Sequence, residues 1–194
     1  MVLGNDFIEN NIEQLGLKGQ QVNPASVDLT IGNKIILVNF NGYKRQSLVA
    51  NPSMPDPYQM MFVDATEYDP IIRHTEVDLN DFPSGIWVRP GVGVLCTTES
   101  TVAIPDNAVG QVLLKSSRGR EFYQSCMAGF CDNGFVGQVT LELYGPVVPI
   151  FFQTGLKVVQ MRFDELTQSS FTYATQPTAK YQGQQGPTAS KDVL

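Results

Sequence analysis

From Ile86 onward the chain is divided into short, evenly spaced runs of β-favouring residues: "GIWVRP", "GVLCTTES", "GQVLLKSS", "GQVTLELYG", "VVPIFF" and "KVVQMRFDEL". Gly, Pro and Asn stand between them. β-branched and aromatic side chains suit a pleated, half-buried surface, and turn residues at this spacing point to short strands with few helices. The pattern restricts this part of the chain to a sandwich, jelly roll or barrel. An earlier stretch, "NPASVDLTIGNKIILVNF", alternates Val27, Leu29 and Ile31 against Ser26, Asp28 and Thr30, then meets a glycine expected to turn the chain into a paired strand at Ile35 to Val38.

Helical periodicity is confined to the start. Ile8, Ile12 and Leu15 fall at i, i+4 and i+7, with Asp6 and Glu9 spaced as a cap pair and Gly16 as a stop. Residues 51 to 85 carry Pro52, Pro55, Pro57, Pro70 and Pro83 among scattered acids, the composition of an irregular excursion with at most short strands. The tail after Thr167, rich in Gln, Thr, Gly and Ser, is too polar to pack independently and is expected to be mobile unless it closes over something. With 194 residues, 42% of them hydrophobic, the chain can bury one substantial core, so a single domain over residues 1–194 is expected.

Several function classes are disfavoured by composition. No run of about 18 apolar residues is present to cross a bilayer, and "MVLGNDFIENN" lacks the basic start and apolar centre of a secretory signal, so a cytoplasmic location is expected. The three cysteines, Cys96, Cys126 and Cys131, have the odd count and irregular spacing of reduced thiols. With His74 alone and no C-x-x-C, the ligands of a zinc nucleobase deaminase cannot be assembled. A net charge of −6 argues against general nucleic-acid binding. The charge is uneven, however: residues 1 to 114 carry −7 and residues 115 to 194 carry +1, so a small anion is better received by the second part.

Chemistry-bearing residues concentrate there. In "QVTLEL", Val139, Leu141 and Leu143 share one face of a strand, and Gln138, Thr140 and Glu142 the other. Glu142 therefore lies either on a solvated face or in a wet pocket where partial desolvation would raise its pKa towards that of a useful base. "KSSRGREFY" joins Lys115, Arg118 and Arg120 to two hydroxyls, a composition suited either to an exposed basic turn or to phosphate. No Walker loop occurs, and "GVGVLC" fails the dinucleotide fingerprint at Cys96. A serine hydrolase would have to recruit His74 from the proline-rich excursion. "AKYQGQQGPTAS" near the end offers a cation, an aromatic ring and amides, either as a disordered tail or as a lid.

Taken in order, "NPASVDL", "LLKSSRGR", "AGFCDNGFVGQVTLEL", "GLKVVQMRF" and "AKYQGQQGPTAS" resemble the dCTP deaminases of the trimeric dUTPase-like superfamily over nearly the whole chain. The resemblance implies a mainly β, dUTPase-like distorted jelly roll of the β-clip type, with a short N-terminal helix and a C-terminal lid at about residues 168–194. It also implies a homotrimer with active sites between neighbouring chains, and zinc-independent hydrolysis of the cytosine C–N bond of dCTP. By position, Glu142 is similar to the family's general base, while Ser116 and Arg120 match the residues that orient the water and the glutamate. Ala128 matches a backbone contact to the pyrimidine, and Asp132 the residue holding the 3′-hydroxyl. Lys115, Ser117, Lys180 and Gln184 match phosphate contacts, with Gln160 and Tyr173 as further members. Mg2+ is expected to arrive with the triphosphate.

The "AG" and aromatic at Ala128, Gly129 and Phe130 resemble the branch that continues from dUTP to dUMP and pyrophosphate, Gly129 leaving room near base and sugar. The resemblance also makes dUTP and dTTP possible ligands, since many members show feedback by dTTP. Rival readings are a deaminase releasing dUTP, a plain dUTPase, a non-catalytic nucleotide-sensing trimer and a structural jelly roll. Retention of Glu142 with Ser116 and Arg120 argues against the plain dUTPase, the whole set of polar site residues against the sensing trimer, and the basic cluster and lidded tail against a structural jelly roll. Three positions depart from the family. The usual leucine after the paired serines is Arg118, expected to add a cation beside the phosphates. The R-L-G that follows has become Arg120, Glu121 and Phe122. Asn133 replaces a proline after the aspartate and is expected to loosen the turn that sets Asp132.

Overall fold

The computed structural model describes residues 1–40, 72–126 and 128–191. The irregular excursion read from residues 51–85 lies outside these up to residue 71, and its described part opens with a seven-residue strand at Ile72–Asp78. In chain order the elements are β1 (Val2–Leu3), α1 (Asn5–Asn10), β2 (Val22–Asn23), β3 (Ser26–Phe40), β4 (Ile72–Asp78), β5 (Ile86–Val88), β6 (Gly93–Thr98), β7 (Val102–Ala103) and β8 (Ala108–Leu114). Then follow α2 (Ser116–Arg120), β9 (Gln124–Ser125), β10 (Phe130–Cys131), β11 (Val136–Gly137), β12 (Thr140–Tyr144), β13 (Ile150–Phe152) and β14 (Lys157–Glu165). The main sheet runs β10-β8-β14-β3-β6-β12-β9, with β1 added on β14 and β2 and β4 on β3; β11 pairs with β7 and β13 with β5. Every one of these pairings is antiparallel.

The sheet curls strongly. β10 and β12 stand far apart in its order, yet Cys131 of one and Glu142 of the other line a single cavity. Curling follows from alternation: Val27, Leu29 and Ile31 of β3 and Met161 and Phe163 of β14 are fully buried, and a sheet apolar on one face closes around that face. Each such side chain contributes roughly 1.5–3 kcal/mol of burial. α1 closes one end through Ile8, also fully buried.

Two local expectations are corrected. Gly32 does not turn the chain into a paired strand; β3 continues through it as one 15-residue strand with a shift in its register against β6 between Ile31 and Ile35. A bulge and a turn carry the same glycine signal in sequence, and pairing with β14 before the glycine and with β6 and β4 on opposite edges after it keeps the strand extended. At the N-terminus the helix is short, with Gly4 and not Asp6 at its N-cap position. The Asn11 side chain donates to the Phe7 carbonyl at 2.8 Å and ends the helix there, while a following turn, closed by Gly16 at φ 71°, still brings Leu15 into the core.

Candidate active site

β12 bears out the alternation read from its sequence: Leu141 and Leu143 are buried, whereas Thr140 and Glu142 are half-buried on the opposite face. That face lines a cavity of about 450 Å³ shared with Ala128, Phe130, Asp132, Phe135, Tyr173, Tyr181 and Gln184. Burial, partly countered by a backbone hydrogen bond, raises the Glu142 carboxyl above its ordinary value. Among the described residues Glu142 takes part in no ion pair. Its neighbour Cys126 donates its backbone N–H to the Glu142 carbonyl at 3.1 Å, and the Cys126 thiol is itself raised, by desolvation and then by the carboxylate.

Asp132 follows β10 and opens the turn Asp132 to Phe135, closed by the Phe135 N–H on the Asp132 carbonyl at 3.2 Å. The tail then lies along the segment that leads from this turn into β12. Gly183 donates to the Val136 carbonyl at 2.7 Å, and the Gln138 N–H to the Gln184 carbonyl at 3.0 Å. The Gln184 carboxamide donates to the Gln138 carbonyl and, at 3.2 Å, to the Thr140 hydroxyl, while Gly186 donates to the Gln138 side chain at 2.6 Å. The Tyr173 ring meets Phe135 edge-on at 5.7 Å, and its hydroxyl accepts the backbone N–H groups of Lys180 at 3.2 Å and Tyr181 at 3.1 Å. The tail is thus held against its own chain from Tyr173 to Gly186.

The remaining sequence candidates sit elsewhere. Ser116, Ser117 and Arg120 are exposed on α2, outside this cavity. Lys115 is ion-paired at 2.5 Å with Asp28, a carboxylate almost wholly removed from solvent and also held by Asn23 at 2.9 Å. Gln160, on β14, accepts from the Ser26 hydroxyl at 2.9 Å. Lys180 and Gly129 also lie off the cavity wall. Gly129 does not open space for a ligand: a Cβ there would stand 2.6 Å from the Val112 carbonyl, so the glycine lets this segment lie against β8.

The three departures from the family pattern have structural settings of their own. Arg118 adds no cation to the cavity, because its Nε donates to the Lys157 carbonyl at 3.1 Å, its guanidinium pairs with Glu121, and it lies over the Tyr123 ring at 5.7 Å. Asn133 does not loosen its turn; it is buried, and its side chain donates to the Asp106 and Phe171 carbonyls at 3.2 and 3.4 Å. Phe122, where the family pattern has glycine, keeps a left-handed backbone at φ 64°. Thr140, Tyr181 and Phe135 were not among the sequence candidates. Thr140 was legible as the strand-mate of Glu142, but the Phe135 and Tyr173 ring pair spans 38 residues and leaves no local signal.

Comparison with known proteins gives the family: residues 3–166 match the one described as dCTP deaminase-like. The chain belongs to that family. It is 34% identical over 202 residues to a protein of Dictyoglomus turgidum named dCTP deaminase, dUMP-forming, covering 98% of this chain and 94% of the relative. It is 33% identical over 183 residues to a Haloarcula marismortui protein named dCTP deaminase, covering 93% and 85%. The solved structure of an Agrobacterium tumefaciens 2′-deoxycytidine 5′-triphosphate deaminase shares the fold, with a TM-score of 0.57 at 23% identity over 84% of this chain and 47% of that one.

Proposed function

We propose that the protein hydrolyses the 4-amino group of dCTP and continues in the same site to dUMP and pyrophosphate. The observation that carries this reading is Glu142: a half-buried carboxyl with a raised pKa, on the wall of a cavity that also holds Asp132. As general base it takes a proton from the water attacking C4 and passes protons towards the departing ammonia, giving dUTP. Asp132 holds the 3′-hydroxyl and helps a second water attack the α-phosphate, breaking the bond to the pyrophosphate leaving group. The Ala128 backbone meets the pyrimidine. Tyr173 and Gln184 hold the tail against the cavity, and residues at about 168–194 act as the lid. The triphosphate enters as its magnesium complex, so the metal is part of the substrate.

Ser116, Ser117 and Arg120 complete the site from a neighbouring subunit. Their exposure on α2, away from the cavity of their own chain, supports this arrangement. Lys115 is fixed by Asp28 and retains ammonium donors for a phosphate oxygen. Gln160 acts through the strand beneath this cluster, and Gly129 through the packing of its segment on β8. The assembly is a cytoplasmic homotrimer with the distorted jelly-roll subunit of the dUTPase-like fold. In support of a soluble protein, no helix among the described residues is long and apolar enough to cross a membrane.

The products decide the chemistry. With Mg2+ present, dUMP is expected from both dCTP and dUTP; dUTP alone from dCTP removes the second step, and no ammonia from dCTP removes the first. Subunit sharing is tested by unfolding Glu142→Gln and Arg120→Ala proteins together and refolding the mixture. Random assembly of a trimer with shared sites pairs an intact Glu142 with an intact Arg120 at about a quarter of the sites, so about a quarter of wild-type activity returns. No recovery would place both residues in one subunit's site.

A further inference from the structure

We propose that Asn133 and Gln182 are positioning residues which anchor the lid to the turn carrying Asp132, so that nucleotide binding and lid seating are coupled through that turn. The proposal rests on the nucleotide-site reading above and deepens it.

The two side-chain amides work from opposite sides. Asn133 reaches from the turn to the root of the lid: its Nδ2 donates to the Phe171 carbonyl at 3.4 Å and to the Asp106 carbonyl at 3.2 Å, and its own carbonyl accepts the Tyr173 N–H at 2.8 Å. Gln182 reaches back from the lid. Its Oε1 accepts the Val136 N–H at 3.2 Å and its Nε2 donates to the Gly134 carbonyl at 3.1 Å, so one carboxamide engages a donor and an acceptor two residues apart, as a neighbouring strand would. Thr172 packs on Gly134 between these two attachments. Asp132, expected to hold the sugar, immediately precedes the doubly tied residue.

Exposure makes the two residues different probes. Asn133 is buried, and a donor facing two carbonyls tolerates no acceptor in its place, so Asn133→Asp sets a carboxyl oxygen against both of them. Gln182 is exposed, and Gln182→Ala leaves the core untouched. A proline at position 133 would retain the carbonyl that meets Tyr173 and lose the amide link to Phe171, which explains how this chain manages with asparagine where the family pattern has proline.

The test has two arms. Trypsin cleavage after Lys180, followed by mass spectrometry on nucleotide-free protein, reads the anchor alone; steady-state KM and kcat for Mg·dCTP read the coupling. Asn133→Asp and Gln182→Ala are each expected to be cut at least about fivefold faster than wild type, with saturating dCTP restoring protection. Each is also expected to raise KM roughly tenfold while kcat stays within about threefold. If Asn133→Asp fails to fold, Gln182→Ala decides alone. Wild-type cleavage rates in the folded variants would overturn the anchor, and faster cleavage with unchanged KM would overturn the coupling. A wild-type protein that turns over no dCTP would instead overturn the nucleotide reading and the coupling that depends on it, while the nucleotide-free arm still decides whether these amides hold the tail.

Discussion

The cavity wall of β12 and the basic helix α2 are built on opposite plans. On the wall, Glu142 is half-buried and enclosed, with the tail bonded along the adjoining segment by Gln184, Gly183 and Gly186. On α2 the cations nearest the core are already committed, Lys115 to Asp28 and Arg118 to the Lys157 carbonyl, Glu121 and Tyr123. Only Ser116, Ser117 and Arg120 face outward with the tail-bearing cavity of their own chain elsewhere. The difference teaches that a chain can separate the two tasks of a polar site. The carboxylate of the wall is desolvated, whereas the hydroxyls and guanidinium of α2 are displayed on a support whose other charges are neutralised locally.

The largest test of that contrast is removal of the lid. Ending the chain at Thr178 takes away Tyr181, Gln182 and Gln184, and turnover of dCTP is expected to fall by more than about 10³-fold while circular dichroism and oligomeric mass stay those of the intact fold. Activity above a tenth of wild type would show that the tail is ornamental to the wall. Next, Glu142→Gln keeps size and removes the base, and kcat for deamination is expected to drop at least about 10²-fold. Near-normal turnover would make Glu142 a bystander.

A finer probe is pH. Burial raises the Glu142 pKa, so the acid limb of kcat/KM should have its midpoint above the ordinary glutamate range. The sign for stability is opposite to that of a paired carboxylate. The folded state binds this proton more tightly than the unfolded state, so the charged form is a burden at neutral pH that disappears as pH falls through the folded pKa. Glu142→Gln should therefore melt at or above the wild-type temperature at pH 7, with the advantage gone well below the ordinary glutamate pKa. An acid limb at that ordinary value would deny the desolvated wall. The smallest effect belongs to the α2 side: Phe122→Gly relieves a left-handed non-glycine residue and should stabilise the fold by up to about 1 kcal/mol, set against the greater unfolded-state freedom of glycine. Urea titration would show it, and a loss of stability would mean that the half-exposed ring is held by contacts that outweigh the strain.

Much of this was legible in the chain because the decisive signals are local. Alternation through Gln138 to Leu143 located the aimed carboxylate, and the amide-rich "KYQGQQGPT" located the segment that lies beside it. What escaped is non-local. Asp28 reads as the polar half of an alternation, yet it is buried because Lys115, 87 residues away, neutralises it. Arg118 reads as a phosphate cation and is claimed by Lys157 and Tyr123. Asn133 reads as a weakened turn until the Phe171 carbonyl is placed against its side chain. In each case the sequence shows the functional group and omits its partner, and only the partner decides between a surface group and a structural one.

The unbroken course of β3 past Gly32 has a consequence for how the molecule tolerates change. Between its pairings with Thr98 and Cys96, β3 advances from Ile31 to Ile35, two residues more than its neighbour, and both isoleucines are fully buried. An even surplus keeps the inward and outward positions in phase on either side of the irregularity, whereas an odd one exchanges them. Excision of Asn33 alone should thus turn the second half of the strand inside out, while excision of Gly32 and Asn33 together should leave every downstream side chain facing its present way.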